Sequence, residues 1–146
     1  MILKTELFEH QKKAVEKLKS LKVGALYMEM GTGKTRTALE LIKMRLDAGK
    51  VGRVLWLCPC NMKTNLKRDL QKHCDDISPI MIAGIESLSS SLRLNCELYN
   101  LVTTYKTYLV VDESNLVKNP FALRTRNIDR IAAKCSYKLI LNGTPI

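Results

Sequence analysis

Apolar and polar positions along this chain switch between a helical period and short continuous apolar runs, and the switches divide it into alternating helices and strands. Over residues 7–21, Ala14, Val15 and Leu18 share one face while Lys12, Lys13, Lys17 and Lys19 fall largely elsewhere, which predicts an amphipathic helix. Residues 24–30 (GALYMEM) read as a short buried strand that runs into a glycine turn. Residues 35–48 are helical in period, with Ala38, Leu41 and Ile42 as the inward stripe and Gly49 as the stop. The run at 53–59 (RVLWLCP) is too uniformly apolar to face water on either side. A helix follows at 62–74. Residues 79–83 and 97–104 read as strands, with the serine stretch 87–91 as a loop or short helix between them. Residues 108–114 predict a buried strand ending on two acids, 121–134 a helix, and 137–145 a last strand. This alternation is that of an α/β domain with a central, mostly parallel sheet and helices on both faces.

Composition narrows the class. The 146 residues carry 24 Lys and Arg against 14 Asp and Glu, a formal charge of +10, and 46% are hydrophobic. That is a folded domain with a core, and its basic surface favours a polyanionic partner, nucleic acid before an acidic membrane. No apolar run approaches the roughly 18 residues of a bilayer span, and the opening MILKTELFEHQKK lacks a signal peptide's apolar core. The expectation is one soluble, cytoplasmic domain over 1–146. Cys58-x-Cys60 and His73-Cys74 invite a zinc site, but Pro59 separates the first pair at the end of an apolar run and no second pair of suitable spacing exists. The five cysteines read as reduced, mostly buried thiols.

Two segments carry candidate chemistry. In MEMGTGKT (28–35), Gly31 and Gly33 let backbone N–H groups converge on an anion with no Cβ in the way. Lys34 then reaches the β- and γ-phosphates of a nucleotide, and Thr35 offers a hydroxyl to Mg²⁺ at a helix N-terminus. The strict phosphate-loop pattern asks for glycine at position 28, where this chain has Met28. The bland alternative is a chance Gly-Lys-Thr turn. In LVVDES (109–114), Asp112 at the tip of a buried strand can hold Mg²⁺, and Glu113 can orient or deprotonate an attacking water. Two such carboxylates are costly unless something cationic faces them. Here the bland alternative is a strand surfacing into a polar loop.

Taken in order, LFEHQKKAV, MEMGTGKT, VLWLCPCNMKTNLKRDLQKH, LVTTYKTY, VVDESNLVKNP and LILNGTPI resemble the first-lobe motifs of superfamily 2 helicases and translocases. They are most similar to the Swi/Snf-type branch, in the compact form found in bacteriophages, and the resemblance covers 7–146. It implies a single RecA-like domain that binds ATP and Mg²⁺ and works in a bacterial or phage-infected cell. Residue by residue it implies that Gln11 reads the adenine edge and that Met30, Gly31, Thr32, Gly33, Lys34, Thr35 and Arg36 form the nucleotide site. Lys34, Asp112 and Glu113 become the catalytic set, with Thr35 and Asp112 on the metal. Gly143, Thr144 and Pro145 would couple hydrolysis to movement. Asn61 and Lys63, with Pro59, would touch DNA, as would Thr103 and Thr104 with Tyr105. The sequence departs from the family pattern in three places. Asp112-Glu113-Ser114-Asn115 replaces Asp-Glu-Ala-His, Asn142 replaces Thr or Ser, and only Lys106 and Thr107 separate TTY from the next strand, which suggests a trimmed element.

For DNA, residues 117–138 hold six basic residues against Asp129, with Arg126, Arg130 and Lys134 at helical spacing. That stripe can track phosphates or be a solvated helix face. Only 5% of residues are aromatic, and Trp56 lies in a buried strand, so contact is expected to be with the backbone and indifferent to sequence. The function expected is the ATP-binding motor lobe of an ATP-dependent DNA helicase or translocase. Its arginine fingers would come from a second RecA-like lobe, since no arginine here sits in a matching motif. The rivals are a nucleotide- or DNA-binding interaction module without useful catalysis, and a simple P-loop kinase or NTPase. The LFEHQ and LNGTPI segments would have no job in the kinase.

Overall fold

A computed structural model describes residues 1–28, 33–112 and 123–142. The elements in order are α1 (Glu9–Leu18), β1 (Val23–Tyr27), α2 (Lys34–Asp47), β2 (Arg53–Cys58), α3 (Lys63–His73), β3 (Ile80–Gly84), α4 (Ser87–Ser90), α5 (Leu92–Thr104), β4 (Thr107–Asp112), α6 (Leu123–Ala132) and β5 (Tyr137–Asn142). The strands make one sheet in the order β1-β5-β4-β2-β3, and every neighbouring pair is parallel.

Strand alternation divides the core in two. Val54, Trp56, Tyr108, Val110, Leu139 and Leu141 face α1, α2 and α3, where they meet Val15, Ala38, Leu39, Ile42, Leu66 and Leu70. The intervening residues Leu55, Leu57, Ala83 and Leu109 face α4, α5 and α6, against Leu88, Leu98, Val102, Ile128 and Ile131. β2 and β4 sit in the middle with apolar residues on both faces, which is why their sequences lack polar alternation. The second layer is also braced by polar contacts. The Leu88 carbonyl accepts from the side-chain amides of Asn95 and Asn127, each at 2.7 Å, so α4, α5 and α6 share one buried acceptor.

One element differs from the sequence reading. Residues 97–104, expected as a strand, are the second half of α5. Leu94, Leu98, Leu101 and Val102 are spaced as a helical stripe, and the Ser91 hydroxyl caps the helix by accepting from Leu94 N at 3.1 Å. A cap plus a stripe outweighs the β propensity of Val102, Thr103 and Thr104. The serine stretch forms the short helix α4, and the remaining boundaries shift by a few residues.

The first five residues form a strap across α2 and α3, which no local pattern announces. Leu3 pairs antiparallel with Cys74, Lys4 N donates to His73 O at 2.8 Å, and Asp75 N donates to Ile2 O at 3.1 Å. Buried Arg36 fastens the strap to α2. Its Nε donates to Thr5 Oγ1 at 2.9 Å, its Nη2 to Thr5 O at 2.7 Å, and its Nη1 to Glu40 at 2.9 Å. Because Thr5 Oγ1 accepts from Arg36, its own proton is available to His73 Nδ1, 2.8 Å away. With Nδ1 accepting, the network favours the neutral ring, and burial holds the His73 pKa below the ordinary 6.5 against the opposing charge of Asp69.

The sign follows from linkage. A histidine with a folded pKa below its unfolded one leaves the unfolded chain binding more protons, so folding weakens as pH falls below 6.5. Stability measured by denaturant unfolding is therefore expected to fall between about pH 7.5 and about pH 5.5, and His73→Gln flattens that slope. An unchanged slope in His73→Gln would show that His73 is not the group titrating.

Candidate nucleotide site

The site lies at the carboxyl edge of the sheet, where open α/β folds bind ligands. Tyr108, Val110 and Asp112 share the face of β4 that packs toward α2, so strand alternation aims Asp112 at the start of that helix. Lys34 opens α2, and its Nζ lies 3.1 Å from Asp112 Oδ1. Both side chains are largely sheltered, 18% exposed for Lys34 and 6% for Asp112. A carboxylate withdrawn from water in this way needs a cation, and Lys34 supplies it. β5 lies between β1 and β4, so the pair joins the helix that follows β1 to a strand two places away in the sheet. Thr35, next in the chain, is also buried.

Gly33 makes this start of helix possible. Its φ is +83°, a left-handed conformation that costs a residue with a Cβ about 1–2 kcal/mol. A Cβ there would also lie 2.0 Å from Gln11 Nε2. Gln11 is 2% exposed, and both ends of its amide are engaged. Its Oε1 accepts from Phe8 N at 2.7 Å and its Nε2 donates to Gly33 O at 3.0 Å. The glutamine therefore ties the first turn of α1 to the residue before Lys34. Thr37 Oγ1 donates to the same carbonyl at 3.1 Å.

Arg36, which sequence reasoning grouped with the nucleotide contacts, has its guanidinium committed to Thr5 and Glu40, and its job in this structure is to hold the strap. Met30, Gly31, Thr32, Glu113, Gly143, Thr144 and Pro145 lie outside the described residues. Asn61 and Lys63 are both exposed at the carboxyl end of β2, beside the same edge as Asp112. Their turn is held from β3. Cys60 N donates to Glu86 Oε2 at 3.0 Å, and Gly84 leaves room for the Cys60 side chain, since a Cβ there would sit 2.1 Å from its sulfur. Gly84 and Glu86 carried no signal in the sequence, because their partner is 24 or more residues away.

Thr103 and Thr104 are at the other end of the molecule. They close α5 just before β4 begins, and Gly52 N donates to Lys106 O at 2.8 Å beside the start of β2. The length of β4, roughly 17 Å, separates them from Asp112. Thr103 and Thr104, which the resemblance gives as DNA contacts, therefore lie at the opposite edge from Asn61 and Lys63. Cys58, the last residue of β2, is fully buried. Burial first, and the charge of Asp112 second, push its thiol up to about 11, so it stays protonated beside the site.

An all-parallel sheet with a lysine-bearing helix start after one strand and a buried acid ending another is the RecA-like arrangement of superfamily 2 motor ATPases. The family model described as ResIII, type III restriction enzyme, res subunit, matches residues 4–146, and the chain belongs to that family. It is 29% identical over 137 residues to chromodomain-helicase-DNA-binding protein 1-like of Mus musculus, covering 81% of this chain and 15% of the relative. It is 30% identical over 142 residues to ATP-dependent helicase BRM of Arabidopsis thaliana, covering 84% of this chain and 6% of the relative. The chain thus spans a small part of these relatives. Among solved structures, the SWI2/SNF2 ATPase core of Sulfolobus solfataricus in complex with dsDNA superposes with a TM-score of 0.77 at 20% identity, over 98% of this chain and 33% of that one. The UvsW helicase from bacteriophage T4 gives 0.69 at 15% identity, over 95% of this chain and 53% of that one.

Gly33→Ala is expected to destabilise the domain by about 2–3 kcal/mol, from left-handed strain plus the displaced Gln11 amide, read as a lower midpoint in denaturant unfolding. An unchanged midpoint would mean that neither the conformation nor the Gln11 contact matters to the fold.

Proposed function

We propose that this chain is the ATP-binding motor lobe of an ATP-dependent DNA helicase or translocase, of the Swi/Snf-type branch. The observation that carries the reading is the Lys34–Asp112 pair at the carboxyl edge. A lysine at the start of a helix preceded by glycines, facing an acid at a strand tip, is the pairing that phosphoryl transfer from a nucleotide needs.

In this reading the triphosphate binds at Gly31, Gly33 and the first turn of α2, where the N-terminal N–H groups of a helix and its dipole favour an anion. Lys34 leaves Asp112 for the β- and γ-phosphate oxygens and neutralises charge there. Thr35 and Asp112 are a hydroxyl and a carboxylate, hard oxygen donors that suit Mg²⁺, and the ion would supply further neutralisation of the phosphates. Glu113 orients the attacking water. Gln11, bonded to Gly33 O, links the loop to α1 and, in this reading, would read the adenine edge. Gly143 and Thr144, next in the chain after Asn142, would pass the change to DNA.

For DNA, Asn61 and Lys63 are the supported contacts, because their turn shares the nucleotide edge. They are polar and cationic with no aromatic platform, and Trp56 is fully buried, so contact is with phosphates and independent of sequence. A second RecA-like lobe would complete catalysis. An arginine finger from it is worth on the order of a thousandfold to a hundred-thousandfold in rate.

Steady-state ATPase of 1–146 with saturating duplex DNA tests this. Turnover is expected far below about 1 per second, to rise when a second lobe is supplied, and to vanish in Glu113→Gln. Turnover near or above that rate from the chain alone would show that no second lobe is needed. Turnover that persists in Glu113→Gln would remove the catalytic assignment.

A further inference from the structure

The carboxyl edge does not account for the basic charge of this protein. Because all five strands are parallel, all five also start at one edge, and the residues leading into four consecutive strands there are basic. Lys22 immediately precedes β1, Lys138 is second in β5, Lys106 immediately precedes β4, and Arg53 opens β2. Backbone bonds hold the row together, with Lys138 N donating to Lys22 O and Gly52 N to Lys106 O, both at 2.8 Å. At about 4.8 Å per strand the row is roughly 14 Å long. Lys50, in the turn before β2, and Lys134, in the turn before β5, are exposed beside it.

These six cations are more than the fold requires. The C-termini of α1, α2, α3, α5 and α6 point to this edge, each worth about half a negative charge, about two and a half in all. Arg45 already serves α1, donating from Nη2 to Lys19 O at 2.7 Å and Leu21 O at 3.0 Å. Asp47, Asp75 and Asp76 engage other groups and not the row. Asp47 pairs with Lys43 and the amino terminus, Asp75 accepts from Ile2 N, and Asp76 accepts from Ser78. None of the six cations makes an ion pair among the described residues.

Three of them rest on rings. Arg53 lies 4.3 Å from the centroid of Tyr105, Lys22 6.0 Å from Tyr137, and Lys134 6.0 Å from Tyr99. A cation seated on an aromatic face is positioned in advance and keeps its outward N–H groups for a ligand.

We propose that this amino edge is a second polyanion-binding surface, which takes the phosphodiester backbone of nucleic acid separately from Asn61 and Lys63. The proposal rests on the reading that the chain works on DNA. A strand presents one phosphate per about 3.4 Å of helix axis, so a row of roughly 14 Å faces about four of them. An anionic membrane fits less well. The exposed apolar residues at this edge, Leu21 and Val23, flank Lys22 at one end of the row, and the exposed ring of Tyr105 sits by Arg53 at the other, so the apolar groups are split between its ends. The two edges are separated by the length of the strands, so this surface leaves the nucleotide site clear. It gives the lobe a second hold on the same nucleic acid or on another segment of it.

The test is fluorescence anisotropy of a labelled duplex with 1–146 over a salt series. The variants are a Lys22→Gln/Lys106→Gln/Lys138→Gln triple, the same triple as arginines, and Lys63→Gln. Unfolding midpoints of all of them are measured alongside. The glutamine triple is expected to weaken binding about tenfold or more near 0.1 M salt and to lower the slope of log affinity on log salt by about 2–3. Its loss should add to that of Lys63→Gln, the arginine triple should keep wild-type affinity, and nucleotide affinity should not move. If the glutamine triple keeps the wild-type slope while Lys63→Gln loses binding, the amino edge is not a nucleic-acid surface, and the motor-lobe reading stands. If the triple leaves DNA binding intact but loses binding to mixed phosphatidylserine and phosphatidylcholine vesicles, the partner is a membrane and the proposal is wrong. A wild-type chain that binds no duplex at low salt would overturn both readings together.

Discussion

The ion pair between Lys34 and Asp112 depends on the whole sheet, and the functional reading depends on it. Asp112 ends β4 and Lys34 opens the helix that follows β1, and β5 lies between those two strands, so their meeting depends on the order and register of all three. Tyr27 stands opposite Asn142, and Leu141 opposite Asp112, so the ends of the three strands are level. A slip of one residue in β4 would turn Asp112 to the other face and leave a valine in its place. The apolar alternation that fills the two core layers therefore also aims the carboxylate. Removing one partner would strand a buried charge, typically costly by several kcal/mol, whereas an arriving triphosphate offers Lys34 a replacement.

Around that pair, the supports are hydrogen bonds between distant segments. Gln11 reaches Gly33, Arg36 reaches Thr5, Thr5 reaches His73, and Glu86 reaches Cys60. Together they lock α1, the strap, α2, α3 and the β2–α3 turn into one body that carries both the nucleotide edge and Asn61 and Lys63. A glycine with positive φ at the start of α2 fits this frame without strain, and the frame gives the flexible lysine a fixed origin.

Much of this was legible in the sequence. The uniformly apolar runs of β2 and β4 announced a parallel sheet covered on both faces, and the order of Gly33, Lys34, Thr35 and Asp112 announced the site. What escaped was contact between segments far apart in sequence. The resemblance gave Gln11 a role at the adenine edge, and the fold adds a tie to Gly33. Arg36 sits beside the phosphate loop in sequence but points its guanidinium at Thr5, because the strap lies on that side of α2. The motif resemblance of Thr103 and Thr104 is local and gives no position in the fold. Helical spacing of Leu94, Leu98 and Leu101, visible in the same stretch, decides their place at the opposite edge. The basic starts of four strands are scattered in sequence and become a row only through strand order.

The central claim is that Lys34 and Asp112 form the place a nucleotide takes over. Calorimetric titration of 1–146 with Mg-ATP, repeated on Lys34→Ala and Asp112→Asn, tests it most directly. The account predicts binding by the wild type, loss of detectable binding in Lys34→Ala, and binding that no longer responds to Mg²⁺ in Asp112→Asn. Equal affinity in the wild type and Lys34→Ala would contradict it.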